Sequence, residues 1–185
     1  MKPKVLIPIA QGTEEMEMVT LADILVRGGA QVVVASVETQ VQVVASRGLK
    51  LTADFLLQDA LESSWDLILL PGGTEGAERL SESADLVGLL QGQLQSGRLV
   101  GAICAVPALV LAKHGLLTGY QATCYPSFQA QLPEGCYVDA KVVSSRNLHT
   151  SQGPATALMF GLKCVALLFG AERADEVGKG MLVGA

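Results

Sequence analysis

The stretch Arg98-Leu-Val-Gly-Ala-Ile-Cys-Ala-Val-Pro-Ala-Leu-Val-Leu-Ala-Lys-His-Gly115 decides how the rest of the chain is read. Leu99 to Ile103 is a run of small apolar residues suited to a buried strand. A sharp turn follows at Cys104, and the spacing predicts a helix from about Ala105 to His114. Pro107 suits a first helical turn, where a missing N–H costs nothing, and Gly115 supplies the stop. Cys104 thus sits where a strand runs into a helix, beside free backbone N–H groups and the positive helix end. That setting is expected to lower a thiol pKa and to hold an oxyanion. It is the layout of a nucleophile elbow, with cysteine in place of serine. The same spacing also suits an inert, apolar cysteine packed at a helix start, so the flanking chain has to decide.

Before this stretch, Lys4 to Ala10 reads as a short apolar strand and Gln11-Gly12-Thr13 as a turn. Thr13 is a suitable N-cap, and acidic residues from Glu14 to Glu17 favour the first turn of a helix running to Arg27. Gly28-Gly29 ends it. Gln31 to Ser36 is a second strand. Val41 to Ala45 and Leu49 to Thr52 form a small hairpin around Ser46-Arg47-Gly48. Asp66 to Leu70 is a core strand ending in Pro71-Gly72-Gly73, and Ser83 to Gly97 carries helix signals. Beyond the elbow, Tyr120 to Tyr125 reads as a short strand running into Pro126. Lys141 to Ser144 and Leu148 to Thr150 pair around Ser145-Arg146-Asn147. Ser151-Gln152-Gly153-Pro154 leads into a long apolar helix to Leu168, and Ala171 to Met181 is a last helix. Strands alternating with helices, without repeats or linkers, define one doubly wound α/β domain over residues 1–185.

Composition agrees. Of 185 residues, 50% are hydrophobic and only 4% aromatic, the small-aliphatic bias of a parallel sheet covered on both faces. A net charge of −5 without a Lys/Arg cluster argues against nucleic acid and anionic membranes. No apolar run reaches the roughly 18 residues of a membrane span, and the N-terminus lacks a signal-peptide core. A soluble, cytoplasmic protein is expected. The four cysteines, 104, 124, 136 and 164, show neither CxxC nor zinc spacing, so no metal is expected. Cys164 falls on an apolar helix face and reads as core; Cys136, in a Pro-Glu-Gly turn, reads as exposed.

In doubly wound sheets ligands bind outside the carboxyl ends of the strands. Gln11 to Glu17, Pro71-Gly72-Gly73 and Cys104 all fall there. Gly72 and Gly73 permit close backbone approach and can present N–H groups to an anion. Glu17 shares a helix stripe with Leu21 and Ile24, so its carboxyl is expected to be desolvated, with a raised pKa and a proton available near neutral pH. The same position also suits a first-turn acid that only favours the helix dipole. His114 reads as a C-terminal cap of the elbow helix, and His149 lies in an edge-like strand. Strand alternation turns Cys124 and Tyr125 to opposite faces.

Taken together, Glu-Glu-Met-Glu (14–17), Leu-Pro-Gly-Gly (70–73), Leu-Ser-Glu-Ser (80–83), Ala-Ile-Cys-Ala (102–105) and Thr-Ser-Gln-Gly-Pro-Ala-Thr (150–156) are similar to the ThiJ/PfpI superfamily. The resemblance spans essentially the whole chain, in the branch of the parkinsonism-associated deglycase and its bacterial relative YajL. It implies a flavodoxin-like sandwich, mostly parallel with a small β-hairpin, that forms a homodimer. It implies Cys104 as elbow nucleophile, Glu17 as its acid, and Gly72, Gly73 and Ala105 as oxyanion-type backbone donors. Glu14, Asp23, Arg27 and Arg47 match a charged cluster at or near the dimer contact. Two departures stand out. Peptidase branches place His directly after the nucleophile, where this chain has Ala105. The deglycase branch often has His where this chain has Tyr125, before Pro126. A phenol donates a hydrogen bond but is a poor base at neutral pH.

Two functions from different classes follow. The first is a cofactor-independent glyoxalase or deglycase acting on glyoxal, methylglyoxal or their early adducts with protein thiols and amines. Thiolate Cys104 attacks the aldehyde, Glu17 shuttles a proton, and Tyr125, in the place of the family histidine, is a third catalytic candidate. The second is an oxidative-stress sensor or redox-regulated chaperone in which Cys104 is oxidised without turnover. A third, thiamine thiazole biosynthesis, follows an older superfamily label and has no phosphate loop to support it.

Overall fold

The computed structural model describes residues 2–183; Met1, Gly184 and Ala185, part of the expected domain span, lie outside the described residues. In chain order the elements are β1 (Lys4–Ile9), α1 (Glu15–Gly28), β2 (Gln31–Ser36), β3 (Gln42–Val44), β4 (Lys50–Thr52), β5 (Phe55–Leu56) and β6 (Leu67–Leu70). They continue with α2 (Thr74–Glu82), α3 (Ala84–Gln95), β7 (Leu99–Ile103), β8 (Val142–Ser145), β9 (Leu148–Ser151), α4 (Ala157–Phe169) and α5 (Ala171–Gly180). Seven strands form one sheet in the order β5-β2-β1-β6-β7-β9-β8, and β3 and β4 pair as a separate antiparallel hairpin. All pairings in the large sheet are parallel except β8 with β9. Helices flank the sheet, with α4 packed between α1 and α5 and with α2 against the segment after β7. This is the flavodoxin-like α/β architecture the sequence predicts.

Apolar strands and helix stripes account for it. β1 is buried from Val5 onward and β6 throughout, as expected of central strands covered on both faces. On α1, Leu21, Ile24 and Leu25 are fully buried; complete burial of each such side chain stabilises by about 1.5–3 kcal/mol. Helix α4 comes very close to α1 because glycine replaces a side chain at the contact. A methyl on Gly161 would lie 2.8 Å from Ile24 Cδ1, and one on Gly28 would lie 2.9 Å from Val165 Cγ2.

The sheet order puts the reversal of winding direction between the parallel neighbours β1 and β6. From there the chain winds one way to β2 and β5 and the other way to β7, β9 and β8. The crevice of such a fold opens at this point, above the carboxyl ends. Register then selects what meets there. Leu70 pairs with Ala102, so two residues further on Gly72 lies beside Cys104.

Several expectations are corrected. The helix signals at Ser83 to Gly97 are the second of two helices: α2 precedes them, and Ser83 caps α3 through its hydroxyl to the Leu86 N–H at 3.3 Å. Thr13 is not the N-cap of α1. Its hydroxyl accepts from Ala10 N at 2.9 Å, and Glu14 caps the helix instead. The segment after Cys104 is a wide π-helical turn over Pro107–Ala112, not a regular α-helix. Tyr120 to Tyr125 is not a strand: it makes a single bridge, Ala122 to Tyr137. Side chains take its N–H groups, with Gln121 N bonded to Ser145 Oγ and Thr123 N to Thr150 Oγ1. Cys136, expected at the surface, is 4% exposed because its turn folds back onto that segment and its carbonyl accepts from Ala122 N at 2.9 Å. Cys164 is buried in α4, as expected.

Candidate active site

Cys104 follows β7 with φ at +65°, one of three non-glycine residues with positive φ among those described. A side chain in this region carries strain, which persists only where the surroundings impose it. Here they do. Cys104 N donates to Ser151 O at 3.0 Å, and its carbonyl accepts from Tyr125 N at 2.8 Å. The residue is pinned between β9 and the Tyr125 segment, and its thiol is turned to the base of the crevice. This is the elbow geometry.

Glu17, in the first turn of α1, is fully buried. Its Oε2 accepts from Gly72 N at 2.7 Å, and its carboxyl interacts with the Cys104 thiol. Oε1 has no hydrogen-bond partner. Burial pushes Glu17 up to about 7; the Gly72 N–H opposes this and the nearby charge of Glu14 adds to it. A desolvated, proton-holding Glu17 is what its place on an apolar stripe predicts.

The thiol differs from expectation. Burial, with Cys104 9% exposed, and the charge on Glu17 push it up to about 12. The N–H groups of Gly73 and Ala105 act in the opposite direction without prevailing. Desolvation penalises the thiolate more than two backbone donors favour it, and the π-helical turn is not a regular helix end. Cys104 and Glu17 form one coupled pair. When Glu17 holds the proton its charge no longer opposes the thiolate, so thiol chemistry here depends on the carboxyl.

The three predicted backbone donors divide. Gly73 and Ala105 face the Cys104 sulfur. Gly72 does not serve as an oxyanion donor, because its N–H is committed to Glu17. It is glycine for a steric reason: a methyl there would sit 2.5 Å from Cys104 Cβ and 2.8 Å from Glu17 Oε2.

A cleft of about 510 Å³ opens over Cys104. Tyr125, 44% exposed, lines it together with Phe128, Ser127, Arg47 and Glu75. Tyr125 thus shares the cleft with the cysteine, while Phe128, Ser127 and Glu75 carried no motif that singled them out. The four charges matched to a dimer-contact cluster are not gathered in one place. Asp23 and Arg27 form an exposed ion pair at 2.6 Å on α1. Arg47 stands at the cleft rim. Glu14 is 7% exposed and lines the same cleft. Both histidines are elsewhere. His114 Nε2 bonds the Ser81 carbonyl at 2.8 Å, so it caps the end of α2 and not its own helix. His149 is buried with Nδ1 on Ser144 Oγ at 2.9 Å. Among the described residues no group of His, Cys, Asp or Glu could hold a metal ion, and no helix is long and apolar enough to cross a membrane.

A flavodoxin-like domain with a strained elbow cysteine and a buried acid at its switch point defines a class of cysteine-centred α/β proteins. Residues 3–167 match the DJ-1/PfpI family, and the chain belongs to that family. It is 46% identical over 181 residues to Protein DJ-1 homolog B of Arabidopsis thaliana, covering 98% of this chain but 41% of that relative. The chain therefore spans less than half the length of that plant protein. It is 38% identical over 171 residues to the glutathione-independent glyoxalase DJR-1.2 of Caenorhabditis elegans, covering 91% of this chain and 90% of the relative. The solved structure of oxidized Toxoplasma gondii DJ-1 superposes with a TM-score of 0.97 at 42% identity, covering 99% of this chain and all of that one.

Proposed function

We propose that this protein is a cofactor-independent glyoxalase or deglycase, acting on methylglyoxal, glyoxal or their adducts with thiols and amines. The observation that carries this reading is the fully buried Glu17 carboxyl against an elbow cysteine at the base of an open cleft. The thiolate of Cys104 adds to the aldehyde carbon, and Glu17 gives its proton to the oxygen that forms, within reach of the Gly73 and Ala105 N–H groups. The Glu17 carboxylate then takes the proton from C1 of the hemithioacetal and returns it to C2, while the C1 hydroxyl proton passes to the C2 oxygen. The product is a lactoyl thioester, which water hydrolyses to lactate and the free thiol. Tyr125 is placed to hydrogen-bond the substrate. The glyoxalase name of the nematode relative supports the reaction class.

The test is methylglyoxal consumption with lactate detection in wild type, Cys104→Ser and Tyr125→Phe. Turnover lost in Cys104→Ser and largely kept in Tyr125→Phe supports an enzyme that needs no histidine at position 125. Turnover surviving in Cys104→Ser overturns the reading.

A second reading has its own support. The donors around the Cys104 sulfur, Gly73 and Ala105, also suit the oxygens of a sulfenic or sulfinic acid formed by peroxide, and a close structural relative is described as oxidized. Mild peroxide would then add one or two oxygens at Cys104 ahead of cysteines 124, 136 and 164; uniform oxidation would count against it.

We also infer a cytoplasmic homodimer. Met16, Val19 and Val26 are exposed on α1 around the Asp23–Arg27 pair, with Leu158 and Met159 exposed on α4, an apolar face of the kind that partners cover. Val26→Asp should convert a dimer to a monomer by light scattering.

A further inference from the structure

The resemblance matches Glu14 to a dimer-contact charge, but the structure places it, 7% exposed, in the cleft over Cys104. Its backbone N–H donates to Gly72 O at 2.8 Å. Its Oε2 accepts from Glu17 N at 2.8 Å. One residue therefore grips the two partners that hold each other, since Gly72 N donates to Glu17 Oε2 at 2.7 Å. The result is a closed circuit: Glu14 to Gly72, Gly72 to Glu17, Glu17 to Glu14. It fixes where the Glu17 carboxyl stands relative to Cys104. It also orients the peptide that precedes Gly73, whose N–H faces the sulfur.

The charges around Glu17 are few. Glu14 comes from the start of its own helix, Cys104 from the turn after β7, and the Gly72 N–H from the turn after β6. Arg47 from the hairpin and Glu75 from α2 line the cleft above but are not among the groups bearing on Glu17. The charge that bears on Cys104 is that of Glu17. Glu14 thus bears on Glu17, the member of the pair whose N–H it caps.

We propose that Glu14 is the positioning residue of this site: its carboxylate caps the Glu17 N–H and, by like-charge repulsion, biases the shared proton toward the Glu17 carboxyl, and so favours the thiolate on Cys104. The step is a single proton transfer, from Cys104 Sγ to the Glu17 carboxyl, with no change in total charge. Negative charge moves from the carboxyl of Glu17, whose backbone N–H Glu14 caps, to a sulfur held by the Gly73 and Ala105 N–H groups. This rests on Cys104 and Glu17 being the reacting pair. It makes Glu14 part of the nucleophile's activation and not only a surface charge for a second subunit.

The test measures Cys104 alkylation by iodoacetamide between pH 5 and 9, followed by mass spectrometry, in wild type, Glu14→Gln, Glu14→Asp and Glu14→Asn. Glutamine keeps an accepting oxygen and removes the charge. Asp and Asn both cap helices well and differ from each other only in charge, so that pair decides the matter if Glu14→Gln fails to fold. The expected result is alkylation at pH 7 slower by about 3- to 10-fold in the neutral variants, with Glu14→Asp faster than Glu14→Asn and melting temperatures of that pair alike. Equal rates in the Asp and Asn variants, or a faster neutral variant, overturn the proposal. The readout needs no turnover, so absence of methylglyoxal activity in the wild type would defeat the enzymatic reading and leave this result standing by itself.

Discussion

Cys104, in the turn after β7, and Cys164, in the middle of α4, are both buried thiols pushed up to about 12, and they are raised by different means. Cys164 is raised by burial alone among apolar neighbours, against a small opposing effect of Lys163. Cys104 is raised by burial and by the charge of Glu17, against two backbone donors. The first shift is a fixed property of packing. The second can be relieved by moving one proton onto Glu17. A high thiol pKa therefore does not by itself distinguish an inert cysteine from a poised one. What distinguishes them is whether a titratable neighbour supplies part of the shift.

Substitution at the two cysteines should separate them most sharply. Cys104→Ser should lower turnover of methylglyoxal by on the order of 10⁴-fold or more, as loss of a nucleophile does, with the melting temperature little changed. Cys164→Ala should leave turnover unchanged and cost roughly 1–2 kcal/mol of stability in denaturant titrations. Comparable activity losses at both sites would break the comparison.

The next largest effect is expected at Gly72, which has no counterpart around Cys164. Gly72→Ala drives a methyl into Cys104 Cβ and Glu17 Oε2. A displacement of about 1 Å at a reacting centre costs about 10²-fold in rate, and overpacking costs about 1–3 kcal/mol. Wild-type kinetics in this variant would show that the pair tolerates separation.

Glu17 makes the comparison a matter of pH. Its folded pKa is raised from 4.5 to about 7, so the folded state binds the proton more tightly than the unfolded chain. The contribution to stability is fully present below pH 4.5 and is lost as pH rises through 7, in total about 3 kcal/mol. Glu17→Gln should remove that dependence, and urea titrations of both proteins at pH 5 and 8 measure the difference. Parallel pH dependence in the two proteins would mean Glu17 does not hold a proton in the fold.

The smallest effect is expected at Tyr125. Loss of its hydroxyl removes one hydrogen bond to substrate, worth about 1 kcal/mol or roughly tenfold or less in kcat/KM. A loss as large as that of Cys104→Ser would make the phenol part of the chemistry.

Much of the fold was legible because its signals are local. Apolar runs marked β1, β2, β6 and β7 almost to the residue, and only β6 is also closed by a Pro-Gly-Gly turn. Helix α2 was not legible, because Gly76 reads as a loop residue; it is glycine because a methyl there would lie 2.8 Å from Thr13 Cα, a contact made only in the tertiary structure. Cys104 and Glu17 stood out by position and pattern. The division of labour between Gly72 and Gly73 did not, since adjacent glycines look alike until strand register directs one N–H to a carboxyl and the other to a sulfur. Thr13 and Glu14 are both plausible caps, and only the claim of Ala10 on the Thr13 hydroxyl decides between them. The direction of the thiol shift was illegible for the same reason: burial is a property of the assembled sheet.

The central claim is that Cys104 reacts because Glu17 can take its proton. It is tested most directly by the pH dependence of Cys104 alkylation in wild type and Glu17→Gln. The account predicts an inflection near pH 7 in the wild type that disappears in Glu17→Gln. A single inflection at the same alkaline pH in both proteins would contradict it.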